Sequence, residues 1–316
     1  MAGFVAFSKT VLKKTSAIQI YQWIYRFIVM PLRAVVQDAQ VILGIISYWK
    51  YGSDDQVLLA KLRMTAHIID KGLQYSGWNL GRSVGKYEIC KRILNQLENS
   101  PVKGDPSYQW ACGVVQKYEH AQQENEVATG EYFNPHVTHE LQTSLRDIIM
   151  FRRSIRTYEN RRIEKELLDK LIEVVNWCPV SCCRQPAVLH VTQNEVLVKK
   201  CLSQCIGATC FSEVNPPCFI SVCADMRAYN TLDRHVGFID VSLGVQNILL
   251  LAHTYGIEGV VLNWMQASPG QNKRFRALLT IPSYHRILFN LVLGYPAQCA
   301  PPPGRKSISE TYVVHK

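Results

Sequence analysis

The first half of the chain shows the apolar spacing of α-helices. Between residues 58 and 69 the apolar positions recur at roughly helical spacing, namely at Leu58, Leu59, Leu62, Met64, Ile68 and Ile69. Gly72 follows and is predicted to end that helix. Two further helices are predicted over Tyr87–Leu97 and Tyr108–Tyr118, and no alternating strand pattern occurs before residue 150. This half of the chain is therefore predicted to be all-helical.

The second half alternates helices with apolar runs of strand length. Amphipathic or buried helices are predicted over Ile163–Trp177 and Phe238–His253, the second ended by Gly256. This alternation indicates an α+β or α/β domain with a covered sheet. The predicted strands are Val188–Val191, Cys218–Ala224, Val260–Leu262 and Ile287–Leu293.

The boundary between these halves is predicted in or shortly after the loop Glu131–Glu140, which contains Asn134-Pro135. Residues 1–147 would then form a helical N-terminal extension and residues 148–316 a second domain.

One apolar stretch, Ile18 to Trp49, is long enough to raise the question of a membrane. Arg26, Pro31, Arg33 and Asp38 interrupt it, which argues against a spanning helix. An amphipathic helix on a partner, on the protein's own core or on a membrane surface fits better. Helical apolar stripes are usually core, so packing against protein is favoured.

The composition of the chain shows a net positive charge and many cysteines. The net charge is +10, divided as +3 over residues 1–150 and +7 over residues 151–316, which suits anionic cofactors, lipid or nucleic acid. No basic stripe interleaved with aromatics supports nucleic-acid binding. No signal-peptide pattern starts the chain. The eleven cysteines, nine of them after residue 150, favour free thiols in a reducing compartment.

Two cysteine groups invite a metal interpretation. Cys178, Cys182 and Cys183 have the spacing C-x3-C-C, and Cys201, Cys205 and Cys210 have C-x3-C-x4-C. Neither contains the C-x2-C pair of zinc or iron–sulfur sites, so small buried hydrophobes are favoured and no metal is predicted.

Four segments could carry chemistry. FRRSIRTYE, Phe151–Glu159, is interpreted either as a solvated basic loop or as a phosphate cradle, since arginine forks suit phosphate oxygens. CPVSCCRQP, Cys178–Pro186, is a rigid loop after a helix, a common place for binding residues. GIEGVVLNW, Gly256–Trp264, is a glycine turn and a strand that can present backbone N–H groups to a flat ring. LGYPAQCAPPPGRKSISE, Leu293–Glu310, brings a second cationic pair. Neither G-x-G-x-x-G nor a P-loop is present.

The chain resembles the FMN-dependent nitroreductase family in the order of its motifs. These are R-R-S-x-R, P-x-S-x-x-R-Q-P, a long helix with Asp240 and Gln246-Asn247, L-N-W, L-G-Y-P and a terminal R-K. The resemblance covers about residues 148–312. The first half, in its segment His67–Leu73, resembles the helical extension of longer members. The resemblance implies an α+β sheet flanked by helices in a homodimer, with FMN at the dimer interface and NADH or NADPH as electron donor.

The resemblance also implies roles for particular residues. Arg152 and Arg153 would meet the FMN phosphate, Ser154 the ribityl chain or phosphate, and Arg156 the pyrimidine edge of the flavin ring. No acid or base besides the flavin is expected. Leu262, Asn263 and Trp264 would lie along the flavin, with the Asn263 backbone N–H near its N5 atom. Arg305 and Lys306 would contact the phosphate. The flavin of the other subunit would be contacted by Pro179, Val180, Ser181 and Cys183.

This sequence departs from the family at Val180, commonly Ser, at Cys183, commonly Asn, and at Ala187, often aromatic. The first two changes remove polar contacts to the flavin. Cys183 is interpreted as a small packing residue rather than as a reactive thiol. His67 and Lys71 are four positions apart and share one helix face. They are interpreted either as facing a substrate cavity or an anionic ligand or, as favoured, as packing and capping residues.

The resulting hypothesis is a cytoplasmic flavin oxidoreductase. It would pass electrons from NAD(P)H to a small electron-poor acceptor, such as a nitro compound, quinone or unsaturated metabolite, by a ping-pong mechanism. The alternative is a flavin-binding protein without redox turnover that acts as a binding or scaffold module. Contact with a membrane through residues 1–50 is a further alternative for localisation.

Overall fold

The computed structural model describes residues 17–51, 54–74, 78–127, 138–211 and 218–315. The helix α1 covers residues 17–51, with the π-helical turn Tyr25–Val29 leading into Met30–Tyr51. Four more helices precede the sheet, namely α2 (Asp55–Leu73), α3 (Val84–Leu97), α4 (Pro106–Glu124) and α5 (His139–Phe151). All elements described before residue 148 are thus helical, as predicted.

Helices α2, α3 and α4 pack together around their own apolar core. Leu59, Leu62 and Leu97 are fully buried there, and Tyr87 stacks on Tyr118 with ring centroids 4.9 Å apart. Helix α2 ends at Leu73, one residue after the glycine that was expected to close it. A Cβ at Gly72 would lie 2.8 Å from the Ser83 hydroxyl, so this glycine allows close approach of chain segments rather than a turn.

The second half forms one four-stranded antiparallel sheet in the order β1-β2-β4-β3. Helices cover both faces of the sheet. The side chains of β2 therefore point alternately into two apolar clusters, and the sequence of the strand is a continuous apolar run. The predicted strands are confirmed with small extensions. The strands are β1 (Ala187–Thr192), β2 (Cys218–Asp225), β3 (Glu258–Asn263) and β4 (His285–Gly294).

Among the described residues, four α-helices belong to the sheet domain, and two of them were not predicted. The expected helices are α6 (Lys165–Glu173), which a 3-10 turn extends over Val174–Asn176, and α8 (Val236–Thr254). The additional ones are α7 (Glu195–Leu202) and α9 (Pro269–Leu279). The architecture is α+β, a sheet flanked by helices and preceded by a helical region, which confirms the predicted class.

The long helix α1 divides into two parts with different surroundings. Ile45 is 1% exposed and packs in the same cluster as the sheet and α8, and Asp38 pairs with Arg234 at 2.9 Å. None of residues 17–36 is buried. Packing against protein was the favoured interpretation of this stretch. It is confirmed for the second part, whereas the described chain leaves the first part uncovered.

The helical region also contacts the sheet domain through charges. Arg227, after β2, pairs with Asp225 at 2.7 Å and reaches Asp54, the N-cap of α2. Helix α5 extends across residue 148, and the predicted loop Glu131–Glu140 lies outside the described residues except for its last three positions. The boundary at residue 147 stays a prediction.

Candidate functional site

The segment Phe151–Glu159, called here the arginine segment, is an extended strand-like stretch beside the sheet. It begins where α5 ends, and the Arg152 backbone N–H donates to the Ile148 carbonyl at 3.2 Å. Ser154 forms a parallel bridge with Gly259 of β3. Ile155 points into the core, whereas the side chains of Ser154 and Arg156 are exposed. The bridge therefore fixes the segment against the edge strand of the sheet.

The guanidinium groups of this segment are not neutralised by acids. Arg153 donates to the carbonyls of Met150 and Arg152 at 2.6 and 3.0 Å, and Arg156 donates to the Ser154 carbonyl at 3.3 Å. Within the described ranges, no carboxylate lies in ion-pair distance of these arginines or of Arg152. Carbonyl partners leave the positive charge uncompensated, which is the property that an anion-binding site needs.

One buried carboxylate lies close to this segment, and it is already paired. Glu258 accepts a hydrogen bond from the Arg153 backbone N–H at 3.3 Å, and its other oxygen lies 2.6 Å from His253 Nδ1. Glu258 is 8% exposed. It therefore fixes the start of the segment through the backbone.

Strand β3 continues the same surface away from the arginines. Because Ser154 pairs with Gly259 in parallel, Arg156 extends toward Val261 and Asn263. Val261 and Asn263 are exposed, whereas the alternating Leu262 and Trp264 are buried. Asn263 lies four steps along the strand from Gly259, a distance of about 13 Å. Arginine charge at one end and an open strand edge at the other thus form one elongated surface.

Trp264 takes part in this surface only through its backbone. Its side chain packs on Phe275 with centroids 4.4 Å apart and donates to Asn272 at 3.3 Å. It also lines a cavity of about 310 Å³ that lies under α1 and includes Gln37 and Tyr48. Leu262 is likewise turned into the core. That Leu262 and Trp264 lie along a flavin stays a prediction, and their buried side chains leave the main chain for such a contact.

The loop Cys178–Pro186 contains unusual backbone conformations. Cys182, Cys183 and Gln185 have φ values of 52°, 54° and 48°, the left-handed region. Such a conformation costs a non-glycine residue about 1–2 kcal/mol. Three of them within four positions require strong support from the surroundings. The loop also contains Pro179 and Val180, of which Pro179 is exposed.

That support comes from a buried polar network. The Ser181 backbone N–H donates to Asp240 at 3.0 Å, and Tyr229 donates to the other oxygen of Asp240 at 2.6 Å. Arg184 donates to the Ser181 hydroxyl at 2.9 Å and pairs with Asp233 at 2.7 Å. Burial, together with the hydrogen bond to Asp240, raises the pKa of Tyr229, so its hydroxyl remains a donor.

Sequence reasoning missed Arg184, Tyr229 and Asp233 as supports of this loop. The available signal was Asp240, a lone acid in the otherwise apolar helix FIDVSLGVQNILLLAH. A buried acid requires donors, and those donors are the loop and Tyr229.

Arg305 and Lys306 lie on an exposed tail. After β4 the chain pairs with the arginine segment, because Pro296 bridges Tyr158 and the Ala297 N–H donates to the Thr157 carbonyl at 3.0 Å. Arg305 then donates to Gly304 and Lys306 to the Glu310 carbonyl. Within the described part of this single chain, no hydrogen bond or ion pair joins them to Arg152, Arg153 or Arg156.

Helix α2 covers the loop from the other side. It packs against the turn Ser181–Cys183, so the helical region adjoins the candidate site. His67 on α2 is half-buried and Lys71 is exposed. The buried side of α2 consists of other residues, among them Leu62, Ala66 and Ile69. Neither His67 nor Lys71 forms a described hydrogen bond or ion pair, and their roles stay a prediction.

The described cysteines are free. All ten whose side chains the structure describes are unpaired, including Cys182 and Cys183. Burial raises the pKa of Cys201, Cys205, Cys218 and Cys223 to about 12, which keeps these thiols protonated. Among the described residues, no group of three or more His, Cys, Asp or Glu side chains could hold a metal ion.

Comparison with known proteins shows which family model and which relatives the chain is similar to. The nitroreductase family model matches residues 149–210. A protein of Methanothermobacter thermautotrophicus named as an NADH dehydrogenase/NAD(P)H nitroreductase is 31% identical over 182 residues, 54% of this chain and 84% of the relative. The Bacillus subtilis protein named FMN reductase [NAD(P)H] is 29% identical, over 46% of this chain and 63% of the relative.

A solved structure from Parabacteroides distasonis, also named as an NADH dehydrogenase/NAD(P)H nitroreductase, is 25% identical and covers 54% of this chain and 97% of its own, with a TM-score of 0.48. The archaeal relative is covered over most of its length, and the family match begins two residues before the arginine segment. These matches confirm the resemblance of the sheet domain, and the chain belongs to the nitroreductase family.

Proposed function

We propose that this protein is an NAD(P)H-dependent flavin oxidoreductase that binds FMN along the arginine segment and the exposed edge of β3. The observation that carries the proposal is the continuous surface from Arg152 and Arg153, through the Ser154–Gly259 bridge, to Asn263. The names of the archaeal and Bacillus relatives, which refer to NAD(P)H and FMN, support it.

The residues present fit a phosphorylated flavin. Arg152 and Arg153 offer guanidinium groups without an acidic partner in the described chain, which suits a phosphate dianion. Ser154 adds an exposed hydroxyl donor next to them. Strand β3 is the edge strand at that end of the sheet, and the exposed side chains of Val261 and Asn263 leave its surface open for a flat ring.

When bound, FMN supplies the redox chemistry, taking two electrons from NADH or NADPH and passing them to an electron-poor acceptor in ping-pong order. The chain's own residues bind, orient and set charge. Arg156, exposed and without an acidic partner in the described chain, supplies positive charge that favours the anionic reduced ring. The buried Asp240 network fixes the loop Pro179–Cys183 at the site.

We propose a homodimer in which that loop reaches the flavin of the other subunit. Apolar side chains are exposed on α5, on α8 and on β3, where a monomer would place polar residues. The tail with Arg305 and Lys306 is exposed as well and could return to the phosphate in the dimer. The exposed apolar residues are Leu141, Leu145, Ile149, Ile239, Leu243 and Val261.

The acceptor is proposed to be a small electron-poor molecule such as a nitro compound, a quinone or an unsaturated metabolite. Helix α2 packs against the turn Ser181–Cys183, so the helical region adjoins the space where the acceptor would enter. Val180 and Cys183 place two weakly polar side chains in that loop, which favours apolar acceptors. No nucleic acid is proposed as a partner, and the proposed location is the cytoplasm.

Purified protein tests the proposal directly. We expect a flavin absorption spectrum after purification, or after adding FMN and removing the excess. Anaerobic titration with NADH and with NADPH should bleach it, and a quinone or nitro compound should restore it. Protein that binds no FMN contradicts the proposal. Bound FMN that neither donor reduces would favour the alternative, a flavin-binding module without turnover.

A further inference from the structure

The first part of α1 is an apolar helix that the described chain leaves uncovered. None of residues 17–36, called here the projecting segment, is buried. A helix that is apolar around most of its circumference normally lies inside a protein or against a membrane. The exposed large apolar side chains of this segment are Ile18, Ile20, Tyr21, Trp23, Ile24, Tyr25, Phe27, Ile28, Met30, Leu32, Val35 and Val36.

The projecting segment is firmly connected to the folded domain. The same helix continues into Ile45, which is 1% exposed, and Asp38 pairs with Arg234 at 2.9 Å and with His235 at 3.2 Å. Gln37 donates to the Ala267 carbonyl at 3.4 Å. Twenty helical residues therefore extend about 30 Å beyond this attachment.

The charge of the projecting segment is entirely positive. Arg26 and Arg33 are its ionisable cationic groups, and the sequence contains no acidic residue before Asp38. Residues 1–16 add Lys9, Lys13 and Lys14 in the sequence. A bilayer surface that contains anionic lipid complements this charge, with each basic residue near it contributing about 1 kcal/mol.

The aromatic content also matches a membrane interface. Trp23 packs on Phe27 with centroids 5.6 Å apart, and Tyr21 stacks on Tyr25 at 6.2 Å. Trp and Tyr are enriched at the boundary between headgroups and acyl chains, since one end of each ring is polar. These four rings are 38–67% exposed, so they can enter such a boundary without unfolding anything.

We infer that the projecting segment binds the surface of an anionic lipid bilayer and lies in its interface. Spanning by residues 17–36 is disfavoured because Arg26 would stand near the bilayer centre, at a cost of about 2.5–3.5 kcal/mol. The more apolar stretch further along α1 packs on the folded domain through Asp38 and Ile45 instead. A second copy of the segment is disfavoured as the cover, since it would bring Arg26 and Arg33 against the same cations with no acid to pair them. This inference does not depend on the proposed redox function.

The test is co-sedimentation of the full chain with vesicles of phosphatidylcholine, with and without phosphatidylglycerol. The double variant Trp23→Asp, Phe27→Asp should lower the partition coefficient about 100-fold or more, because two apolar rings are lost. The matched control is Leu232→Asp, Val313→Asp, at side chains 87% and 79% exposed elsewhere on the chain. The control should sediment as the wild type does.

A second pair tests the charge. Arg26→Gln, Arg33→Gln should reduce binding to the anionic vesicles about 30-fold and change binding to phosphatidylcholine alone much less. Lys199→Gln, Lys200→Gln on the exposed side of α7 is the matched control. All substituted side chains lie outside the core, so thermal unfolding followed by circular dichroism should be the same for every variant.

Three results would overturn the inference. The wild-type chain could stay in the supernatant with anionic vesicles, or the Trp23–Phe27 variant could sediment like its control. Alternatively, light scattering could show that the segment joins two chains, with the mass halved in the Trp23–Phe27 variant and no vesicle binding by the wild type. Flavin content is measured in parallel, so a failure here is distinguishable from a failure of the proposed activity.

Discussion

Asp240 of α8 accepts a hydrogen bond from the Ser181 backbone N–H at 3.0 Å, 59 residues away in the sequence. Asp240 is 3% exposed, and its second oxygen accepts from Tyr229 at 2.6 Å. The carboxylate thereby replaces the water that a loop N–H would otherwise bind, and it holds the loop in its left-handed conformations.

Asp240→Ala should lower the free energy of unfolding by about 3 kcal/mol, because the Ser181 N–H and the Tyr229 hydroxyl both lose a charged, buried acceptor. Urea unfolding measures the change. Asp169→Ala is the matched control, since that carboxylate is 59% exposed and pairs only with Lys165, an exposed contact worth about 0–1 kcal/mol. Equal losses for the two variants would show that the buried network does not support the loop.

Gly244 lies where α8 crosses the 3-10 turn Val174–Asn176, which precedes the loop Cys178–Pro186. A Cβ there would stand 2.3 Å from the Val175 carbonyl oxygen, so the helix or the turn must move. Gly244→Ala should therefore destabilise the protein by about 1–3 kcal/mol. Gly85→Ala in α3 is the control, because no atom lies within 4 Å of its added Cβ.

The control should be neutral or stabilising by up to about 1 kcal/mol, since alanine is the better helix former. Thermal or urea unfolding of both variants checks the pair. If Gly244→Ala is also stabilising, the close helix contact is not required.

The sheet could be predicted from sequence because its strands are covered on both faces. Cys218–Ala224 reads as a continuous apolar run for that reason, and the structure buries all seven residues. Helix α9 was missed because its pattern is polar. Its capping box of Ser268 and Gln271, with Pro269 at the first position, was a local signal that could have identified it.

The supports of the site could not be predicted from local pattern. Arg184 and Asp233 are 49 residues apart, and nothing in either neighbourhood indicates their pairing. The exposure of residues 17–36 could not be predicted from periodicity either, because periodicity identifies an apolar helix but not what covers it. The arginine segment was found because several cations and a hydroxyl are adjacent in sequence.

The lowered pKa of His285 predicts that the protein loses stability in mild acid. Burial is the main reason that its pKa is lowered to about 4, while Asp225 acts in the opposite direction. Its Nδ1 lies 3.1 Å from Nε2 of His190, whose pKa burial also lowers. The folded state thus favours neutral His285, and the unfolded state binds the proton first as pH falls below about 6.5.

The contribution of His285 is therefore complete above about pH 7 and decreases progressively toward about pH 4. Between about pH 7 and about pH 5 the wild type should lose about 2 kcal/mol more of its unfolding free energy than His285→Gln. Urea unfolding at both pH values measures the difference. His139→Gln, at an exposed position of α5, should behave as the wild type. The same pH dependence in His285→Gln would assign the effect to other groups.

Arg152 and Arg153 predict a preference for a phosphorylated flavin. Each guanidinium can form a charge-assisted bond with phosphate, and two such bonds correspond to a preference of about 100-fold for FMN over riboflavin. Arg152→Ala, Arg153→Ala should remove that preference while the fold persists, since both side chains are only half-buried. Fluorescence titration of the apoprotein with FMN and with riboflavin measures both affinities. Lys199→Ala, Lys200→Ala removes the same charge from α7 and should keep the preference. A double-arginine variant that still prefers FMN to the wild-type extent would show that the phosphate binds elsewhere.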